Sequence, residues 1–243
     1  MASAFLWGVL AASSLVIGSI IALRFPISRR AIGLIMAFGA GVLISAVAFD
    51  LVEKAAAQSS GNGAVALGIF AGSGVFFAGN WLISRSGGAE RKDPSGAQQR
   101  GSALAIVLGT VLDGIPESIV IGLTLLEGGQ VGAAYLAAVF ISNLPEALSS
   151  TAGLAAGGWS KGRILRLWLG VALISGLASL AGFALFDNAS QDMVAFVLAF
   201  AAGAILTMLA DTMMPEAFEN GGILVGVLTT LGFGVAFWID SLA

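Results

Sequence analysis

The sequence predicts an all-α polytopic membrane protein: eight transmembrane helices, with an inverted repeat relating helices 1–3 to helices 6–8 around a central hairpin of helices 4 and 5. Three observations carry that expectation. Of the 243 residues, 58% are hydrophobic and 10% charged, with a mean hydropathy of +0.97, far from the composition of a soluble domain. The apolar residues run continuously rather than alternating, and in lipid a helix satisfies the backbone of such a run internally. Two stretches, Ala37 to Ala48 and Ala199 to Ala210, share the pattern A-F-x-A-G and are each followed by acidic residues.

Cutting the apolar runs at clusters of charge and of Gly, Pro and Ser gives spans at approximately 3–24, 31–54, 63–84, 101–126, 130–157, 163–186, 191–216 and 221–242. Each is long enough to cross a hydrocarbon core of about 30 Å. The first has no Lys or Arg before it and is of spanning length, so it reads as helix 1 rather than as a cleaved signal. Ten of the eleven Lys and Arg fall in the connections between spans 1 and 2, 3 and 4, and 5 and 6, with Lys54 alone on the opposite side. The positive-inside rule puts those connections in the cytoplasm and both termini outside it, in a plasma or inner cell membrane. The polar connection at approximately 85–100 has a linker's Gly, Ser and charged composition, a flexible loop within a single transmembrane domain over 1–243. On this orientation span 2 runs outward and span 7 inward, so the two similar stretches are inverted copies, an arrangement typical of secondary transporters.

The chain contains no Cys and no His. That excludes disulfides, thiolate sites and the His-based zinc-protease motifs, leaving oxygen as the donor for any metal. Little machinery remains for an intramembrane enzyme, and neither a cofactor nor a nucleic-acid partner is expected. The partner that composition implies is the lipid bilayer, with a homodimer as the one protein assembly entertained.

The chemistry is concentrated in spans 4 and 5, which read T-V-L-D-G-I-P-E-S from Thr110 and I-S-N-L-P-E-A-L-S-S from Ile141. A carboxylate in mid-membrane costs about 2.5–3.5 kcal/mol on insertion scales and by default marks an ion path. Asp113 and Glu117 are spaced i, i+4 and share a helix face; Asn143 and Glu146 are spaced i, i+3, with Ser142 beside them. Pro116 and Pro145 lack an N–H, which frees the carbonyls of Leu112 and Ile141 as further oxygen ligands. Asp50 and Glu53 near one end of span 2, and Asp211 and Glu216 near the opposite end of span 7, are candidate pathway residues that would draw cations to both mouths. Met208, Met213 and Met214 read as packing residues rather than soft ligands.

The paired x-x-Pro-Glu motifs, the eight spans, the outward termini and the polar loop after span 3 resemble the ZIP (Zrt-, Irt-like) family of divalent metal transporters over nearly the whole chain. The family pattern is His-Asn-x-Pro-Glu-Gly on helix 4 and a similar motif on helix 5. The resemblance implies a metal site midway across the membrane made by Asp113, Glu117, Ser142, Asn143 and Glu146, with a divalent ion such as Zn, Mn or Fe carried into the cytoplasm. It also implies that helices 1, 4, 5 and 6 move as one bundle against helices 2, 3, 7 and 8. The chain departs from the pattern: Asp113 and Ser142 stand where the family has His, Gly114 where it has Asn, and Ser118 and Ala147 where it has Gly. Carboxylate in place of imidazole makes a harder site, which favours Mg, Mn or Fe(II) relative to zinc. The residues themselves leave open a monovalent or proton-coupled carrier, or a non-transporting metal sensor.

Overall fold

The computed structural model describes residues 1–88, 94, 103–126 and 132–241. The loop at 85–100 lies mostly outside the described residues, and the turn between spans 4 and 5 around Glu127 to Gln130 lies wholly outside them. Among the described residues every regular element is helical. In chain order these are α1 (Ala2–Arg24), α2 (Arg29–Gln58), α3 (Asn62–Ile83), α4 (Ala103–Thr124), α5 (Ala133–Ala156), α6 (Lys161–Phe186), α7 (residues 191–221) and α8 (Val225–Asp240).

The sequence marks several boundaries. Ser28, Ser160 and Ser190 each accept a hydrogen bond from the backbone N–H three residues on, so α2, α6 and α7 begin with side-chain caps. Gly158 at φ 81° closes α5, where the N–H of Trp159 reaches back to the carbonyl of Leu154 at 3.0 Å. Gly222 at φ 69° separates α7 from α8.

Six stretches among the described residues are long and apolar enough to cross a membrane: α1, α2, α3, α4, α6, and residues 191–240, which contain both α7 and α8. The expected eight are therefore not reached on length and apolarity alone. α5 drops out because Ser142, Asn143, Glu146, Ser149, Ser150 and Thr151 lower its hydropathy, and α7 and α8 count as one continuous apolar run.

The helices pack in two groups. α1 lies on α5 and α6, and α4 on α6; α2 lies on α8 and on the end of α7, and α3 on α7. α2 and α5 make the main contact between the groups. The first group has its own small core of Ala12, Leu15, Ala147, Leu154, Ile164, Trp168, Val171 and Ala172. Two buried hydrogen bonds tie it: Ser179 Oγ donates to the carbonyl of Ala4, and Trp168 Nε1 to Thr151 Oγ1, both at 2.8 Å.

The expected hairpin of helices 4 and 5 is looser than a packed pair, since α4 and α5 touch each other only lightly. Close backbone approaches draw them elsewhere. A Cβ on Gly122 of α4 would fall on the Ser179 carbonyl of α6, and one on Gly18 of α1 would fall 2.6 Å from the Leu144 carbonyl of α5.

The two copies of the repeated segment behave alike. In α2 the helix widens to a π-turn at Val47–Glu53, and in α7 at Leu209–Met213, each beginning at the second-to-last residue of the matched stretch. Gly41 of α2 meets Thr229 of α8 while Gly232 meets Phe38; Gly203 of α7 meets Ile69 of α3 while Gly72 meets Phe200. Phe38 and Gly41 hold the same places in the first copy as Phe200 and Gly203 in the second. Small residues at such crossings let helices approach closely where lipid supplies no hydrophobic drive.

Candidate metal site

Each residue singled out on α4 and α5 is buried. Asp113 and Glu117 are 2% exposed, Ser142 1%, and Asn143 and Glu146 6%, in helices that otherwise present aliphatic side chains. Ser118, Ser149, Ser150 and Thr151 are buried with them. Pro116 and Pro145 sit within continuous helices, where each deletes one backbone donor and leaves an acceptor without its usual partner. Ser118 Oγ donates to the Gly114 carbonyl at 2.8 Å, and Ser142 Oγ to the Val139 carbonyl at 3.0 Å. Both hydroxyls are thereby oriented with lone pairs still available.

The second helix group reaches this site through α2. Gly39 lies so near the proline turn of α5 that a Cβ there would stand 2.9 Å from Pro145 Cγ and 3.3 Å from Ser142 Cα, with Met213 Cε at 3.2 Å. Pro145 of α5 and Met213 of α7 thus both close on α2 at Gly39. Met208 and Met213 are buried in the main core, as packing residues are. Among the described residues no three acidic side chains converge closely enough to hold an ion by themselves, so an ion held there would need amide, hydroxyl or carbonyl oxygens as well.

The four pathway candidates separate. Asp50, on the π-turn of α2, is 6% exposed and pairs with Lys54 Nζ at 3.0 Å. Glu53, one turn from it, is exposed. Asp211, on the π-turn of α7, is exposed; it accepts a long hydrogen bond from Asn80 Nδ2 of α3 at 3.4 Å. Glu216 is half-buried. The copies thus present one covered and one open carboxylate.

Sequence reasoning passed over Tyr135. It is the one tyrosine in the chain, is 1% exposed, and carries a hydroxyl with no hydrogen-bond partner among the described residues. That hydroxyl lies within electrostatic reach of Glu117 and Asp50. A lone phenol at the start of an alanine-rich polar helix was the available signal. The π-turns left no comparable mark.

The basic residues mark the helix ends. Arg85 stacks on Trp81 with its guanidinium 3.9 Å from the ring centre, and Arg163 on Trp159 at 3.6 Å, the amphipathic pairing suited to a membrane–water boundary. At another connection Asp192 accepts from the backbone N–H of Ser60 at 2.7 Å and from its hydroxyl at 2.8 Å, fastening the turn between α2 and α3 to the start of α7.

Comparison with known proteins gives one family: a family model described as ZIP zinc transporter matches residues 83–240, the stretch that carries both Pro-Glu motifs. No curated protein matches the chain.

Proposed function

The chain belongs to the ZIP zinc transporter family, whose members move divalent metal ions across membranes, and on that premise we propose that it carries a first-row divalent cation into the cytoplasm through a mid-membrane site made by Asp113, Glu117, Ser142, Asn143 and Glu146. The observation that carries this reading is burial: three carboxylates, each at most 6% exposed, lie in two helices of a membrane protein. Such a placement is costly unless a cation or proton uses it. The chain forms one transmembrane domain of eight crossings with both termini outside the cytoplasm, in a cell membrane. Repeats inverted between helices 1–3 and 6–8 are supported by the matched π-turns and glycine crossings of α2 and α7. The two helix groups are the bodies that move past each other, and Asp50, Glu53, Asp211 and Glu216 serve the two mouths.

The donor set contains only oxygen, so selection follows size, coordination number and dehydration cost rather than softness. Mn and Fe(II) then compete with Zn, and Cu(I) does not. The test is uptake of labelled zinc into proteoliposomes against unlabelled competitors. Wild type should transport; Glu117→Ala and Glu146→Ala should insert normally and fall by about a hundredfold or more, the consequence of losing a charged ligand from a site without substitutes. Uptake at the wild-type rate by both variants removes the site from α4 and α5.

A further inference from the structure

A buried hydroxyl without a hydrogen bond costs about 1–3 kcal/mol in lost hydration, so a retained one calls for a physical reason. Among the described residues Tyr135 is such a group, and its ring is fixed in the main core. The carboxylates within its electrostatic reach belong to different helices, Glu117 to α4 and Asp50 to α2. α2 is pinned to the proline turn of α5 at Gly39, and Asp50 lies further along it by about 16 Å at 1.5 Å per residue. α2 and α5 pass each other in opposite directions, Gly39 against Pro145 and Val42 beside Ala138, so Tyr135, three residues before Ala138, lies on Asp50's side of the buried site. Asp50 is held there by Lys54 at 3.0 Å, and Lys54 is 39% exposed, so its ammonium has water to withdraw into. A buried carboxylate balanced by a partly exposed lysine can exchange that cation for another. The π-turn that presents Asp50 is a geometry frequent at functional sites.

We propose that Asp50 and Tyr135 form an outer ion station, at which an incoming divalent cation displaces the Lys54 ammonium and takes the phenol oxygen as a neutral ligand before passing to Glu117. The direction of passage rests on the transport reading above; occupancy of the station does not, and the test separates them. With a single tyrosine, 3-fluorotyrosine labelling gives one 19F resonance. Zinc titration in detergent should shift it in wild type and in Glu146→Ala, and should not shift it in Asp50→Asn. No shift in wild type, or an undiminished shift in Asp50→Asn, overturns the station. Tyr135→Phe keeps the ring and should lower maximal zinc uptake about tenfold while calorimetric zinc binding at the inner site stays within about twofold. Wild-type uptake by Tyr135→Phe, or loss of inner-site binding along with uptake, also overturns it. A shifting resonance in a wild type that moves no metal refutes the transport reading and supports the station.

Discussion

Asp50 and Asp211 follow the two copies of one segment, on π-turns that begin at matched positions, yet one is buried against a lysine and the other is exposed beside an asparagine. The segments give both helices the same apolar face, the same glycine crossing and the same widened turn. What differs is the cover. On the α2 turn Asp50 is buried and neutralised from its own helix by Lys54; on the α7 turn Leu209, Thr212 and Met213 are buried while Asp211 points out of the packed interior. Two similar segments thus carry carboxylates in unlike surroundings, and the unlikeness comes from Lys54 one turn on and from what packs over each turn.

The largest test of that likeness is steric. Gly41→Leu and Gly203→Leu each drive a side chain into the backbone of the facing helix, and each should destabilise by about 3 kcal/mol, the upper end for overpacking. Thermal unfolding in detergent measures both. Equal losses support equivalent crossings, and tolerance of one of them breaks the comparison.

Next in size is the difference between the mouths. Lys54→Ala leaves Asp50 buried without its cation and should cost about 1–2 kcal/mol, less than the 3–5 of a fully buried pair because Lys54 is 39% exposed. Asn80→Ala takes the partner from an exposed Asp211 and should cost under about 0.5 kcal/mol. Similar losses from the two variants would show that both carboxylates meet the same environment. Between them in size stands Thr207, whose hydroxyl donates to Ser73 at 2.8 Å across the α3–α7 crossing; Thr207→Val should cost about 1 kcal/mol.

The smallest expected effect is a change of preference rather than of rate or stability. Asp113→His places an imidazole where a carboxylate stands, and should move the ranking in competition uptake toward zinc by about tenfold relative to Mn. An unchanged ranking would take Asp113 out of the selecting shell.

Much of this molecule was legible before any coordinates. Hydropathy is a local sum, so membrane helices could be read from composition and run length, and their boundaries from serine caps and glycine breaks. The carboxylates of α4 and α5 were legible for the same reason: a charge inside an apolar run is conspicuous wherever the helix later packs. The likeness of Ala37–Ala48 to Ala199–Ala210 was visible too, because a repeated crossing requires repeated small residues. Burial of a particular side chain is not a local property. It depends on which distant helix arrives at that face, and so the burial of Asp50 and the exposure of Asp211 were not legible from the segments that precede them, although Lys54 at i+4 marked a partner for Asp50. The lightness of the α4–α5 contact was hidden likewise, since it follows from Gly122 drawing α4 onto α6 and Gly18 drawing α1 onto α5. Tyr135 drew no notice in the sequence; only the tertiary arrangement buries its hydroxyl within electrostatic reach of Glu117 and Asp50. The sequence determined which residues must lie in the membrane, because transfer from water is decided residue by residue, and the tertiary structure decided which of them meet, because contact is a property of pairs.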